Sequence, residues 1–168
     1  MVISQKMAGA INEQIKHEFF SYWLYLSMAF SLEAQDLKVF AKWFYAQADE
    51  EKEHAMKMAN YLLDQGAEVK LLALEQPKTD FGSVLEICEE SVIHEELITK
   101  KINELVALAR SENDFATDNF LQWFIMEQVE EVAKANELVS LVKMANNPGQ
   151  MLMVEQRIMA LREENSEA

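Results

Sequence analysis

Glu51 and His54 stand three residues apart, and on a helix that spacing brings a carboxylate and an imidazole to one face, within reach of one metal ion. Alone the Glu-x-x-His motif is weak, because any acidic helix contains it by chance. Its weight comes from other acids and amides that interrupt apolar helical stripes elsewhere in the chain. Glu18 falls among Ile11, Ile15, Tyr22, Tyr25 and Ala29. Gln47, Glu51 and His54 interrupt a face made by Phe40, Phe44, Met58 and Leu62. Glu95 interrupts Leu85, Cys88, Val92, Ile102 and Val106, and Gln128 with Glu131 interrupts Leu121, Phe124, Ala135, Leu138 and Val142.

Glu18, Glu51, Glu95 and Gln128 each lie about 12 to 15 residues into their own helix, so they share one level whichever way the helices point. Isolated charges in such an internal slab would each cost several kcal/mol, and like charges would repel. Bound divalent cations are the natural compensation. Carboxylates with one imidazole and no thiolate favour iron or manganese over a structural zinc site. Glu51 is the natural bridge between two ions, with Glu18 and His54 completing one shell and Glu95 and Glu131 the other. A neighbouring pair of ferrous ions can supply two electrons to one dioxygen or peroxide molecule.

The elements that must hold these side chains follow from the breakers and caps. With 168 residues but only 4 Gly and 2 Pro, the chain suits one domain of long helices rather than a many-turned sheet. Ser4 can cap a first helix running to about Ala34, and Asp36 a second ending at Gly66. Each is ~45 Å long, and the very short turn between them makes them antiparallel. Residues 67–82, with Pro77, read as a long connection. Ser83 opens a capping box with Glu86 and a third helix to about Arg110. After a polar loop at 111–114, a fourth helix runs from Asp114 to about Ala145. Asn146-Asn147-Pro148-Gly149 is a sharp break before a short Met-rich fifth helix at 150–162 and a polar tail. The 16-residue connection spans at most ~53 Å, enough to run the length of a bundle. The expectation is an all-α four-helix bundle with one long crossover between its second and third helices. Residues 1–145 form the bundle, and 146–168 the short helix and tail of the same single domain.

The formal net charge of −14 repels nucleic acid and anionic membranes and attracts cations. No segment reaches ~18 uninterrupted apolar residues, and the N-terminus lacks a basic region followed by an apolar block, so neither a membrane span nor a secretory signal is expected. The single Cys88 rules out an intramolecular disulfide, falls on the apolar face as core, and fits a reducing, cytoplasmic compartment.

His-Glu-Phe-Phe-Ser-Tyr-Trp-Leu-Tyr (17–25), Asp-Glu-Glu-Lys-Glu-His-Ala (49–55), Glu-Glu-Leu-Ile-Thr (95–99) and Phe-Leu-Gln-Trp-Phe-Ile-Met-Glu-Gln-Val-Glu-Glu (120–131) resemble bacterial non-haem ferritins, and the likeness covers essentially the whole chain. The resemblance implies a ferritin-like homo-oligomeric shell of 24 subunits. Each bundle would hold a ferroxidase centre that oxidises Fe(II) with O2 or H2O2, and the ferric mineral would be stored inside. It matches Glu18, Glu51 and His54 to the ligands of a first iron and Glu51, Glu95 and Glu131 to those of a second, with Gln128 beside the pair. It also matches Glu50, Glu127 and Glu130 to an additional iron site of bacterial members. Tyr25, on the face of Glu18, matches a tyrosine adjacent to the centre, and packing with its hydroxyl on a glutamate is the plainer role for it. Trp123 reads as a core or interface residue that could also donate an electron. His17 and His94, about 100° off the ligand faces, read as surface or interface residues.

The second helix pair carries Gln128-x-x-Glu131 where bacterioferritins repeat Glu-x-x-His, so the site is asymmetric and the likeness to bacterioferritin weakens. No haem-ligand methionine pattern is found, and no haem is expected. One cysteine excludes a rubredoxin motif. The fifth helix argues against the smaller DNA-protecting relatives, and its Met151, Met153 and Met159 suit packing at a symmetry axis. The alternatives are a di-iron carboxylate oxidase or peroxidase without mineral storage and, from another class, a non-catalytic helical interaction module. The module has no reason to bury acids in one layer.

Overall fold

A computed structural model describes residues 3–166. Its helices are α1 (Gln5–Ala34), α2 (Lys38–Asp64), α3 (Val84–Ser111), α4 (Phe115–Met144) and α5 (Pro148–Ser166), with no strand among the described residues. Residues 67–82 have no regular structure and join α2 to α3, giving the expected all-α bundle with one long crossover.

The local start signals act largely as expected. Ser4 Oγ accepts from the Met7 amide, Ser83 and Glu86 form the full capping box, and Asp114 accepts from the Thr117 amide. Asp36 is a correction. It does not cap α2, which begins at Lys38 after Leu37 with no side-chain cap, but closes α1 in the left-handed region at φ 59°. There Leu37 N–H donates to Leu32 O and Asp36 N–H to Glu33 O, the paired bonds of a Schellman ending. Gly66 at φ 70° and Asn113 at φ 56° end α2 and α3 in the same way. The fifth helix is also longer than expected. It starts at Pro148, whose missing N–H and fixed φ suit a first helical position, and continues to Ser166 through residues expected to be tail. Glu167 and Ala168 lie outside the described residues.

Helices α1 and α2 pair, as do α3 and α4, and α1 packs on α3 to join the two hairpins. No Cα of α2 lies within 8 Å of a Cα of α4, so this seam is bridged by side chains. The apolar interior falls into two clusters. One gathers Leu24, Tyr25, Met28, Phe40, Phe44, Cys88 and Leu138, with Val154 and Ile158 of α5 docked against it. The other gathers Ile11, Ile15, Met58, Leu62, Ile98, Ile102 and Leu121. Between them every helix of the bundle contributes buried polar groups: Glu18 and Ser21, Glu51 and His54, Ser91 with His94 and Glu95, and Gln128 with Glu131. Glutamates withdrawn from water at mid-bundle need a partner that the apolar layers cannot offer.

Candidate metal centre

Glu18, Glu51, His54, Glu95, Gln128 and Glu131 are each at most 5% exposed. Of these, Glu18, Glu51 and His54 converge most closely, each offering a ligand atom within 4.8 Å of the other two. His54 Nδ1 lies 3.4 Å from Glu51 Oε2, as the three-residue spacing dictates, and Gln14, one turn before Glu18, donates its amide to Glu18 Oε1 at 2.8 Å. Glu18 Oε2 and both oxygens of Glu51 are buried with no hydrogen-bond donor among the described residues. Hard oxygen donors with one imidazole, held together and unsatisfied, fit ferrous or ferric iron in charge and ligand type.

The electrostatics record the same deficit. Burial first, then the neighbouring Glu51 carboxylate, pushes Glu18 up to about 8. Glu51 is held well above the usual carboxylate range by burial and by Glu95. Glu95 is pushed up to about 7 by burial, against the lowering pull of the Tyr25 hydroxyl, with Glu131 adding to the rise. Glu18 and Glu51 therefore favour holding protons at neutral pH, which a bound cation would replace.

Glu95 and Glu131 border the cluster without joining it as tightly. Glu95 accepts from the Tyr25 hydroxyl on one oxygen and from Gln128 Nε2 at 3.4 Å on the other. Glu131 Oε2 accepts from Gln47 Nε2 at 2.6 Å, and its Oε1 takes the Lys134 ammonium at 2.8 Å. Tyr25 thus sits with its hydroxyl on a glutamate, and its ring packs near Phe44. Glu50 is half-buried, its Oε2 makes no hydrogen bond but lies 3.8 Å from the Lys134 ammonium, and burial raises its carboxyl. Glu127 is half-buried and shares a surface groove with Glu50, His54 and Trp123, whereas Glu130 is exposed. Trp123 is 39% exposed and meets the His54 ring edge-on at 5.5 Å, with the Lys57 ammonium 3.8 Å above its centroid.

His94 is a second correction. It is buried, not a surface residue, because the inward face of α3 runs through Val84, Ile87, Ser91, His94, Glu95 and Ile98 and so turns further toward His94 than the Leu85–Val92 phasing implied. Its Nε2 meets Ser21 Oγ at 2.8 Å, and its ring packs edge-on to Tyr25. The Ser21 hydroxyl is also 3.0 Å from the His17 carbonyl, which ties His94 through Ser21 to the backbone of α1. His17 is half-buried. Lys134 and Gln14 were not singled out in the sequence, although their spacings of three from Glu131 and four from Glu18 were visible signals.

A crossover bundle with glutamates and an imidazole converging at mid-depth defines the class of carboxylate-ligated metal proteins. The ferritin-like domain family matches residues 8–145. The chain is 40% identical over 148 residues to the bacterial non-heme ferritin of Bacteroides fragilis (strain 638R), covering 88% of this chain and 93% of that one. It is 39% identical over 132 residues to that of Staphylococcus aureus (strain MRSA252), covering 79% and 80%. Among solved structures it resembles the open pore ferritin of the hyperthermophilic archaeon Archaeoglobus fulgidus, with a TM-score of 0.91, 42% identity and 93% and 97% coverage. The chain belongs to the ferritin family. It is accordingly an iron-storage protein with ferroxidase activity.

Proposed function

We propose that each chain oxidises two ferrous ions as substrate at the mid-bundle slab and that 24 copies form the shell in which the ferric product is kept. Glu18 and His54 hold one ion, Glu95 and Glu131 the other, and Glu51 bridges them, with Gln128 alongside. The single observation that carries this reading is the buried Glu18–Glu51–His54 cluster, in which Glu18 Oε2 and both Glu51 oxygens lack donors. Metal entering it displaces protons held by Glu18 and Glu51, and those protons leave as the carboxylates become ligands. O2 or H2O2 takes up the two electrons. Tyr25 orients Glu95 through its hydroxyl, while the apolar clusters above and below hold the ligands in register. Glu50, Glu127 and Glu130 make the additional iron position.

Exposed Trp23, Phe30 and Leu71 give the chain apolar surface for self-association. Among the described residues no helix is long and apolar enough to cross a membrane, and the buried, unpaired Cys88 accords with a cytoplasmic setting. The packing of α5 on α2 and α4 supports reading the fifth helix as part of one domain with the bundle. Aerobic addition of ferrous iron tests the whole reading. Hundreds of irons retained per particle are expected, whereas two per chain without mineral would mean an oxidase. Glu51→Ala should slow oxidation severely with the shell intact, and unchanged kinetics would remove Glu51 as the bridge.

A further inference from the structure

Lys134 stands one helical turn beyond Glu131, and its ammonium is shared between two acids. Nζ lies 2.8 Å from Glu131 Oε1 and 3.8 Å from Glu50 Oε2, with the side chain 24% exposed. The other Glu131 oxygen takes the Gln47 amide, so both oxygens of Glu131 are engaged before any metal arrives. The Glu18–Glu51–His54 side differs, because Glu18 Oε2 and both Glu51 oxygens have no donor among the described residues. The two halves of the centre therefore start from unequal states. One has no cationic side chain on its open oxygens, and the other already holds an ammonium on a flexible stem.

We propose that Lys134 is a tethered counter-cation that stands in for the second iron and makes loading sequential. This rests on Glu131 being a ligand of that iron. The ion held by Glu18, Glu51 and His54 binds first, and the ion that needs Glu131 binds only by driving the ammonium away. Two costs fall on the second ion. A charge-assisted hydrogen bond to Glu131 must be broken, and the ammonium repels an arriving dication until it has swung out. Tethering keeps this competitor at a high local concentration whatever the protein dilution. Because the stem already reaches solvent, the ammonium can leave by rotation of its own side chain without moving α4. Glu50 shares the same ammonium, so an ion taken up at Glu50 would also help to free Glu131.

Anaerobic calorimetry with Zn(II), which binds without turnover, reads this directly on the assembled apo-protein. The unaltered chain is expected to show a tighter first step and a weaker second step per chain. Lys134→Met is expected to tighten the second step by roughly tenfold or more, equivalent to about 1.4 kcal/mol, with the first unchanged. Lys134→Arg keeps the charge and should stay close to the unaltered chain. Glu131→Gln should abolish the second step. An unchanged second step in Lys134→Met beside a weakened one in Glu131→Gln would overturn the role of Lys134 and leave the ligand assignment standing. A second step indifferent to Glu131→Gln would overturn both. Equal tightening of both steps, or an Arg variant that behaves like the Met variant, would also overturn it, since the cause would not be this cation on this carboxylate.

Discussion

Replacing Glu18 by Gln is expected to stabilise the apo-protein at neutral pH while weakening its response to metal. In the folded chain Glu18 is held at about 8, against an ordinary 4.5, chiefly by burial and then by Glu51. The raised value means that the folded chain keeps a proton the unfolded chain sheds. The associated stability is fully present below about 4.5 and is lost as pH climbs toward 8. Each pH unit of that interval costs about 1.4 kcal/mol, so at pH 7 roughly 3 kcal/mol of apo-protein stability is missing. Gln has the shape of the protonated acid and no proton to collect. Its carbonyl oxygen can still accept from Gln14, and its amide can donate toward Glu51 as the protonated acid does. For a chain of this size the gain corresponds to a rise in apo Tm of roughly 6–12 °C at pH 7, shrinking to nothing near pH 4. Thermal unfolding of both apo-proteins across that range, repeated with Zn(II), measures it. With metal the order should narrow or reverse, because only the glutamate is a strong ligand. A Gln variant no more stable than its parent at pH 7, or a gain that persists undiminished at pH 4, would refute the view that an unmet charge at Glu18 strains the metal-free fold.

Tyr25→Phe removes the donor that holds Glu95 down, so the pH midpoint of metal uptake should move upward from that set by Glu95 at about 7; a midpoint that stays or falls would count against this role. Burial pushes the Cys88 thiol up to about 12, leaving on the order of one thiolate in ten thousand at pH 8. Iodoacetamide should therefore label it only after denaturation, and ready labelling of the native protein would contradict its place in the core. Asn12 ties α1 to the crossover by donating to Glu68 O and accepting from Lys70 N. Asn12→Ala should cost about 1–3 kcal/mol and speed proteolysis within 67–82 with helix content unchanged, as judged by circular dichroism and mass mapping of the cuts.

Much of this protein was legible in its residues because each relevant signal was local or periodic. Helix periodicity placed Glu18, Glu51, Glu95 and Gln128 on inward faces, and equal depth within helices of like length put them at one level, which the layer between the two apolar clusters reproduces. Ser4 and Ser83 act through hydrogen bonds to amides three residues away, so their roles needed no knowledge of the fold. Asp36 was misplaced because an Asp between two helices can serve either one, and only the backbone path shows that it ends α1. His94 was missed because a shift of α3 by a fraction of a turn moves a residue from rim to interior, and the packing partners set that rotation, not the stripe alone.

What only the tertiary structure decided is how unequal the six buried polar groups are. Sequence spacing assigns Glu131 to the same slab as Glu18 and puts Lys134 within its reach, but only the approach of α2 to α4 brings Gln47 onto its other oxygen, while Glu18 and Glu51 keep oxygens that no hydrogen-bond donor in the described chain meets. Type and level are properties of one helix at a time, and the order of residues along the chain contains them. Distance and competition between side chains on different helices depend on how far apart the backbones settle, and that distance is set by the packing of the whole bundle.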